Sequence, residues 1–206
     1  WSDNTTAQII SVMNAADSRP GVRTVINGHS VNLFGAVAEP KLTGIPGDIL
    51  AIHNNAVCFA SQDGAVWIRQ MKCRKVDGLT PIKLPAAMVL DKILQPSAVL
   101  ATISANSLES VVEDIAVERK GQTAYIYFNC YNGAMNTEQC IALKQTIVEV
   151  KRSDAKLIVF MGGEDFWSNG IHLNCIEAVE DPAQESWRNI NAIDDVVMEM
   201  MDTPNQ

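Results

Sequence analysis

Between residues 22 and 71 the chain breaks into five short β runs separated by turn residues, and this spacing constrains the fold more than any other feature. Runs 22–26 and 31–34 flank Asn27-Gly28, the strongest short-range hairpin signal. Runs 49–52 and 57–60 flank Asn54-Asn55, and Gln62-Asp63-Gly64 leads into a fifth run at 66–71. Short strands spaced roughly 8–12 residues apart predict a small antiparallel barrel, closed or half-closed. An amphipathic helix is expected in front of it over 4–17, with Ile9, Ile10, Met13 and Ala16 on one face and Asn4 or Thr5 as cap. Pro81, Pro85 and Pro96 punctuate the stretch that follows, which includes a short helix near 86–94.

A second pattern then begins. Runs 114–118 and 123–129 read as strands joined across Lys120-Gly121. Thr137 is the expected cap of a helix to about Lys151, with Cys140, Leu143, Ile147 and Val150 on one stripe. Residues 156–161 form an apolar strand ending in Gly162-Gly163. Residues 186–201 form a helix with Trp187, Ile190, Ile193, Val197, Met200 and Met201 on one face. Strand, helix, strand, loop, helix opens a layered α/β unit with parallel crossovers. Charge changes with the pattern: residues 1–98 carry nine Lys/Arg against seven Asp/Glu, and residues 99–206 carry seven against seventeen. The predicted organisation is a barrel domain at 1–98, a connector and first hairpin strand at 99–121, and a β/α unit at 122–206.

The acidic second half argues against nucleic acid or an anionic membrane as partner. No apolar run approaches the ~18 residues that span a bilayer. The chain opens on Trp1 with no basic-then-apolar leader, which reads as an internal piece of a longer protein. Five cysteines, Cys58, Cys73, Cys130, Cys140 and Cys175, are odd in number and lack zinc-type pairs. They read as small buried hydrophobes in a reducing, cytoplasmic compartment. His29 and His53 adjoin hairpin turns and are expected to be solvated, and His172 has no ligand set at metal spacing, so no metal is expected. Arg69, Lys72, Arg74 and Lys75 form a basic cluster without interleaved aromatics, which reads as a solvated strand end rather than a base-stacking surface.

The segment with the most chemical content is Met161-Gly-Gly-Glu-Asp-Phe-Trp-Ser-Asn-Gly-Ile-His-Leu-Asn174. A strand ends, a glycine-bearing loop follows, and a helix starts near Asn174. Such loops turn backbone N–H groups outward, where they can hold an oxyanion or a carbonyl. The same layout also serves loops that bind nothing and only cap the helix.

Residues from about 122 onward resemble the crotonase (enoyl-CoA hydratase/isomerase) superfamily. Thr123-Ala-Tyr-Ile-Tyr-Phe-Asn-Cys-Tyr-Asn-Gly-Ala-Met-Asn136 resembles its first strand and turn, 157–163 its second strand, and Phe166-Trp-Ser-Asn-Gly-Ile-His172 its Phe-x-Ala-Gly-x-Asp loop. The resemblance implies that the Ile171 N–H is one arm of an oxyanion hole for a CoA thioester, with Gly170 setting its geometry and His172 replacing the usual aspartate. It assigns Ser168, Asn169, Ala134 and Met135 to coenzyme A. Residues 1–98 resemble the C-terminal barrel-like domain of methionyl-tRNA formyltransferase, through the helix before Pro20-Gly21, run 31–34, Gly44-Ile-Pro-Gly-Asp-Ile49 and run 57–71. The fusion of the two, with Tyr131-Asn-Gly-Ala-Met135, Ser168-Asn-Gly-Ile-His-Leu-Asn174 and Asn189-Ile-Asn-Ala-Ile-Asp-Asp195, resembles the hydrogenase-maturation HoxX family over nearly the whole chain.

That family resemblance implies formyl transfer from formyl-tetrahydrofolate to CoA, then decomposition of formyl-CoA to the carbon monoxide ligand of a nickel–iron site. It implies that the folate site belongs to a domain before Trp1, and that the second oxyanion glycine and the acid/base residues follow Gln206. The present chain is then catalytically incomplete by itself and expected to self-associate through an open sheet edge and the Trp187, Ile190 and Val197 stripe. Two other classes remain open: a tRNA-binding accessory module using the basic barrel, and a stand-alone CoA-binding or scaffold protein.

Overall fold

Asn27 and Asn54-Asn55 take the left-handed backbone that tight hairpins need, with φ of 47°, 46° and 61°, and both turns fall where the sequence places them. The computed structural model describes residues 1–74, 81–94, 112–163 and 166–203, which fall into two units, Trp1–Val112 and Glu113–Gln206. The junction expected near 95–105 and the basic residue Lys75 lie outside the described residues.

In the first unit, helix α1 (Thr6–Ala16) starts at Thr5, whose side chain accepts from the Gln8 N–H while Gln8 returns a bond to the Thr5 backbone. This reciprocal pair satisfies two N–H groups that a helix start leaves open. Strands β1 (Val22–Ile26), β2 (His29–Glu39), β3 (Ile49–His53), β4 (Ala56–Ala60) and β5 (Ala65–Cys73) form an antiparallel sheet in the order β1-β2-β5-β4-β3, with a short β6 (Leu84–Pro85) beside β5. Helix α2 (Ala86–Ile93) follows. The expected barrel is not closed: among the described residues β1 and β3 end the strand path and do not pair with each other. Eleven-residue β2 pairs with both β1 and β5, leaving β1 and β3 as the two ends of the path.

Trp67 is fully buried on β5 and donates from Nε1 to Glu39 Oε2 at 2.8 Å, while the Lys41 N–H donates to Glu39 Oε1 at 2.7 Å. The buried carboxylate therefore holds a donor on each oxygen. His53, expected in solvent, is buried and meets Trp67 edge-on at 6.4 Å, because β3 turns it toward the Trp67 cluster. Arg69 and Lys72 are half-buried on β5 and Arg74 is exposed at its end. All five cysteines are free and buried. Burial pushes the Cys58 thiol up to about 12, with Glu39 adding to the shift, and the Cys140 thiol up to about 11.

The second unit begins with the hairpin β7 (Ile115–Lys120) and β8 (Thr123–Phe128). Helix α3 (Thr137–Lys151) then crosses to β10 (Leu157–Met161), which pairs parallel to β8 and completes the sheet order β10-β8-β7. Cys140, Leu143, Ile147 and Val150 are buried on α3, as their spacing predicts. The cap is Asn136 and not Thr137: Asn136 accepts from the Gln139 N–H, and Gln139 bonds back to the Asn136 backbone. Thr137 lies inside the helix, buried, and donates to Glu185. A two-residue pair, β9 (Ala134–Met135) with β11 (Gly170–Ile171), runs parallel, and α4 (Leu173–Glu177) follows it.

Helix α5 begins at Pro182, earlier than the expected 186, capped by Asp181 and running to Met201. Its packed face is Asn189, Ala192, Ile193, Val196 and Met200, which shares Ile193 and Met200 with the predicted stripe and leaves out its other four residues. Trp187, Ile190, Val197 and Met201 remain exposed, at 67%, 40%, 48% and 76%. The helix carries two apolar stripes, and periodicity alone does not say which one packs.

Candidate functional site at the 131–136 and 166–172 loops

The loop that follows β10 doubles back against the turn that follows β8. Gly133 makes the approach possible, since a Cβ there would stand 2.7 Å from Phe166 Cβ and 3.2 Å from the Asn169 N. Gly162 lets the loop fold on itself, since a Cβ there would stand 2.9 Å from the Phe166 carbonyl oxygen. The Gly163 N–H donates to Phe166 O at 3.0 Å, and the Trp167 indole donates to Phe160 O at 3.3 Å while meeting Phe128 edge-on at 5.2 Å. Glu164 and Asp165 of this segment lie outside the described residues.

From there the chain is stitched to a single 3-10 turn, Tyr131–Gly133. Asn169 donates from its backbone to Gly133 O at 2.7 Å and from its side chain to Asn132 O at 2.6 Å. The Gly170 N–H donates to Ser168 Oγ at 3.2 Å. In the β9–β11 register, Gly170 stands opposite Ala134 and Ile171 opposite Met135. Four of the six residues singled out from the sequence therefore stand in one strand pair, and Ser168 and Asn169 lie just before it, bonded to Gly170 and to the 131–133 turn. Gly170 has φ +78°, a conformation that L side chains rarely adopt, and a Cβ there would meet nothing within 4 Å. Open space thus adjoins the pair on the Gly170 side.

His172 closes the loop. It is buried, its Nδ1 accepts from the Cys175 N–H at 3.2 Å, and it caps α4. Its N–H donates to Met135 O at 3.0 Å and to Asn189 Oδ1 at 3.2 Å. Burial holds its imidazole below the usual value, so it stays neutral at pH 7 and serves as a cap rather than a charge. The Cys175 thiol is likewise pushed up to about 12 by burial, with Glu185 adding to the shift, which leaves it protonated. No group of three or more His, Cys, Asp or Glu able to hold a metal occurs among the described residues.

A pH effect follows from His172. Its folded-state pKa lies below the unfolded value of about 6.5, so below that value the unfolded chain binds the proton more readily. Stability is fully present above pH ~6.5 and is lost as the pH falls toward the folded pKa. His172→Asn keeps a side-chain acceptor at the cap. Between pH 7 and 5 the melting temperature should fall less in His172→Asn than in the wild type. Parallel curves would show that His172 does not drive the effect.

Sequence reasoning missed two residues. Asn189 is wholly buried, on the packed face of α5. Its signals were its place at the head of the 189–195 string that carries the family resemblance and its register with that face. Asn136 was passed over because Thr137, one residue later, also fits a cap.

The formyl transferase C-terminal domain family matches residues 1–81. Methionyl-tRNA formyltransferase from Pseudothermotoga lettingae is 43% identical over 61 residues, 29% of this chain and 20% of that protein. The hydrogenase maturation factor HoxX of Bradyrhizobium diazoefficiens is 35% identical over 208 aligned residues, covering 100% of this chain and 35% of HoxX. A crystal structure of HypX from Aquifex aeolicus, in complex with tetrahydrofolic acid, covers 100% of this chain at 43% identity with a TM-score of 0.89. The chain is HoxX/HypX-like along its whole length. It spans about a third of those relatives, 36% in the case of the HypX chain. The HoxX/HypX likeness takes in both units, including the β9–β11 pair, and residues 1–81 are a formyl transferase C-terminal-like domain.

Proposed function

We propose that this chain works as a section of a HoxX-like hydrogenase-maturation enzyme. The enzyme moves a formyl group from formyl-tetrahydrofolate to CoA, leaving tetrahydrofolate, and splits formyl-CoA into carbon monoxide and CoA for a nickel–iron site. The observation that carries this reading is the likeness to HypX over the whole chain at 43% identity and a TM-score of 0.89. Tetrahydrofolic acid is bound in that HypX crystal structure. Folate is proposed to act on the parts of a HypX-like chain that this sequence does not span, and no residue here is assigned to it.

The crotonase-like role falls to the β9–β11 pair. The Ile171 N–H donates to the thioester carbonyl oxygen, and Gly170 gives the backbone the turn that aims it. Ser168, Asn169 and Ala134 line the CoA side of the same pair, and Met135, buried in the core, supports it from beneath. When bound, CoA supplies the thiol that accepts the formyl group. A main-chain donor in a strand is fixed before the reaction starts, so it stabilises developing oxygen charge without reorganising. The cytoplasm is the proposed compartment, and no described helix is long and apolar enough to cross a membrane.

A tRNA-binding accessory role is the second reading, favoured by the methionyl-tRNA formyltransferase match over 61 residues. A gel-shift series with tRNA across salt concentrations separates the two. The enzyme reading expects no salt-dependent tRNA complex, and a tight, steeply salt-dependent one would contradict it.

The chain by itself is also expected to self-associate. Trp187, Ile190, Val197 and Met201 follow one face of α5 and are exposed. Sedimentation at rising concentration should show a growing mass, and Trp187→Glu should suppress it. A strict monomer at high concentration would contradict this expectation.

A further inference from the structure

We propose that Asn189 is the positioning residue of the Ile171 donor, clamping β9 to β11 from a separate helix; this rests on the reading of 168–171 as a thioester-carbonyl site. Asn189 lies on α5 with no exposed surface. Its Nδ2 donates to Met135 O at 3.2 Å, and its Oδ1 accepts the His172 N–H at 3.2 Å. The same two backbone groups bond each other at 3.0 Å. A closed three-way network thus sits at the end of the strand pair, one residue from Ile171 on β11 and on the residue opposite Ile171 on β9. The amide also reaches Cys140 Sγ on α3 at 3.7 Å, which ties the clamp to the helix under the sheet.

The placement is costly unless it does something. Asparagine is a middling helix former, and a buried amide destabilises unless it is bonded. The other packed positions of α5 are Ala192, Ile193, Val196 and Met200, all apolar. The side-chain amide bonds go to Met135 on β9, to His172 immediately after β11, and to Cys140. Two strands of two residues each cannot hold their own register, so an outside clamp decides where Ile171 sits. An oxyanion donor acts only within a narrow distance of the oxygen, and a misplacement of ~1 Å costs about 100-fold in rate.

Asn189→Leu tests this cleanly, because Met135 O and the His172 N–H keep each other and no backbone group is orphaned. Asn189→Ala is the second variant. In the 206-residue chain, hydrogen exchange at Asn169 and His172 should rise about tenfold in both variants, while α3 and β8 amides keep their protection. In the product of the complete reading frame, Asn189→Leu should lower kcat for CoA-dependent carbon monoxide release about tenfold or more, with KM for CoA nearly unchanged. Unchanged exchange at Asn169 and His172 would overturn the proposal. So would uniform acceleration in every element, or unfolding of both variants, since Asn189 would then be a general core residue. Full turnover in Asn189→Leu, alongside lost turnover in Gly170→Pro, would overturn the clamp and leave the loop reading intact. Full turnover in Gly170→Pro overturns the loop reading itself, and the clamp loses its catalytic purpose.

Discussion

Gly170→Pro in the product of the complete reading frame is expected to lower CoA-thioester turnover about 100- to 1000-fold, the ~2.7–4 kcal/mol that one lost oxyanion donor costs. Gly170 has φ +78°, and proline is locked near −65°. The substitution also deletes the Gly170 N–H bond to Ser168 Oγ. Both changes rotate the peptide that carries the Ile171 N–H. Ile171→Ala should be mild by comparison, because the proposed donor is main chain and its side chain is only half-buried. Formyl-tetrahydrofolate consumption, measured in parallel, shows whether the rest of the protein still works. Wild-type thioester turnover in Gly170→Pro would make the loop a structural cap for α4 and nothing more.

Trp67→Ala should destabilise the first unit by about 3–5 kcal/mol through lost apolar burial and the cavity left behind. Trp67 is the largest fully buried side chain, and Cys58 and Ala51 pack beside it with too little volume to refill the space. The substitution also takes the Nε1 donor from Glu39 Oε2 inside the protein, which adds a penalty for an unsatisfied buried oxygen. The urea midpoint of the first unit, followed by exchange of β4 and β5 amides, measures it. A loss below about 1 kcal/mol would show that the site relaxes far more than a packed sheet allows.

Much of this architecture was legible because local chemistry and tertiary context agree. Asn27-Gly28 and Asn54-Asn55 demand tight hairpins wherever they occur, and the α3 stripe has one apolar face to bury. Closure of the first sheet was not legible, since strand spacing says how many strands there are and not whether the outer two meet. The facing of α5 was legible only in part: Ile193 and Met200 pack as expected, but the helix has two apolar stripes, and the packed one also holds Asn189, bonded to Met135 on β9 and to His172 just past β11. His53 shows the same limit, because its neighbours in sequence are turn residues while its neighbour in space is Trp67. At the candidate site, the family resemblance pointed to 168–171 and 134–135 together, and the register Gly170↔Ala134 and Ile171↔Met135 places 170–171 beside 134–135. Asn189 lies 18 residues beyond Ile171, and although it opens the 189–195 string, nothing local says that its side chain reaches Met135 and His172.

The central claim is that a HoxX-like enzyme containing this chain turns a folate-borne formyl group into carbon monoxide by way of CoA. The direct measurement supplies the product of the complete reading frame with carbon-13-labelled formyl-tetrahydrofolate, with and without CoA, and traps released gas on reduced myoglobin for infrared detection. The account predicts labelled carbon monoxide in proportion to the formyl-folate consumed, released only when CoA is present. Formyl-folate consumption that yields no labelled carbon monoxide, or carbon monoxide release indifferent to CoA, would contradict it.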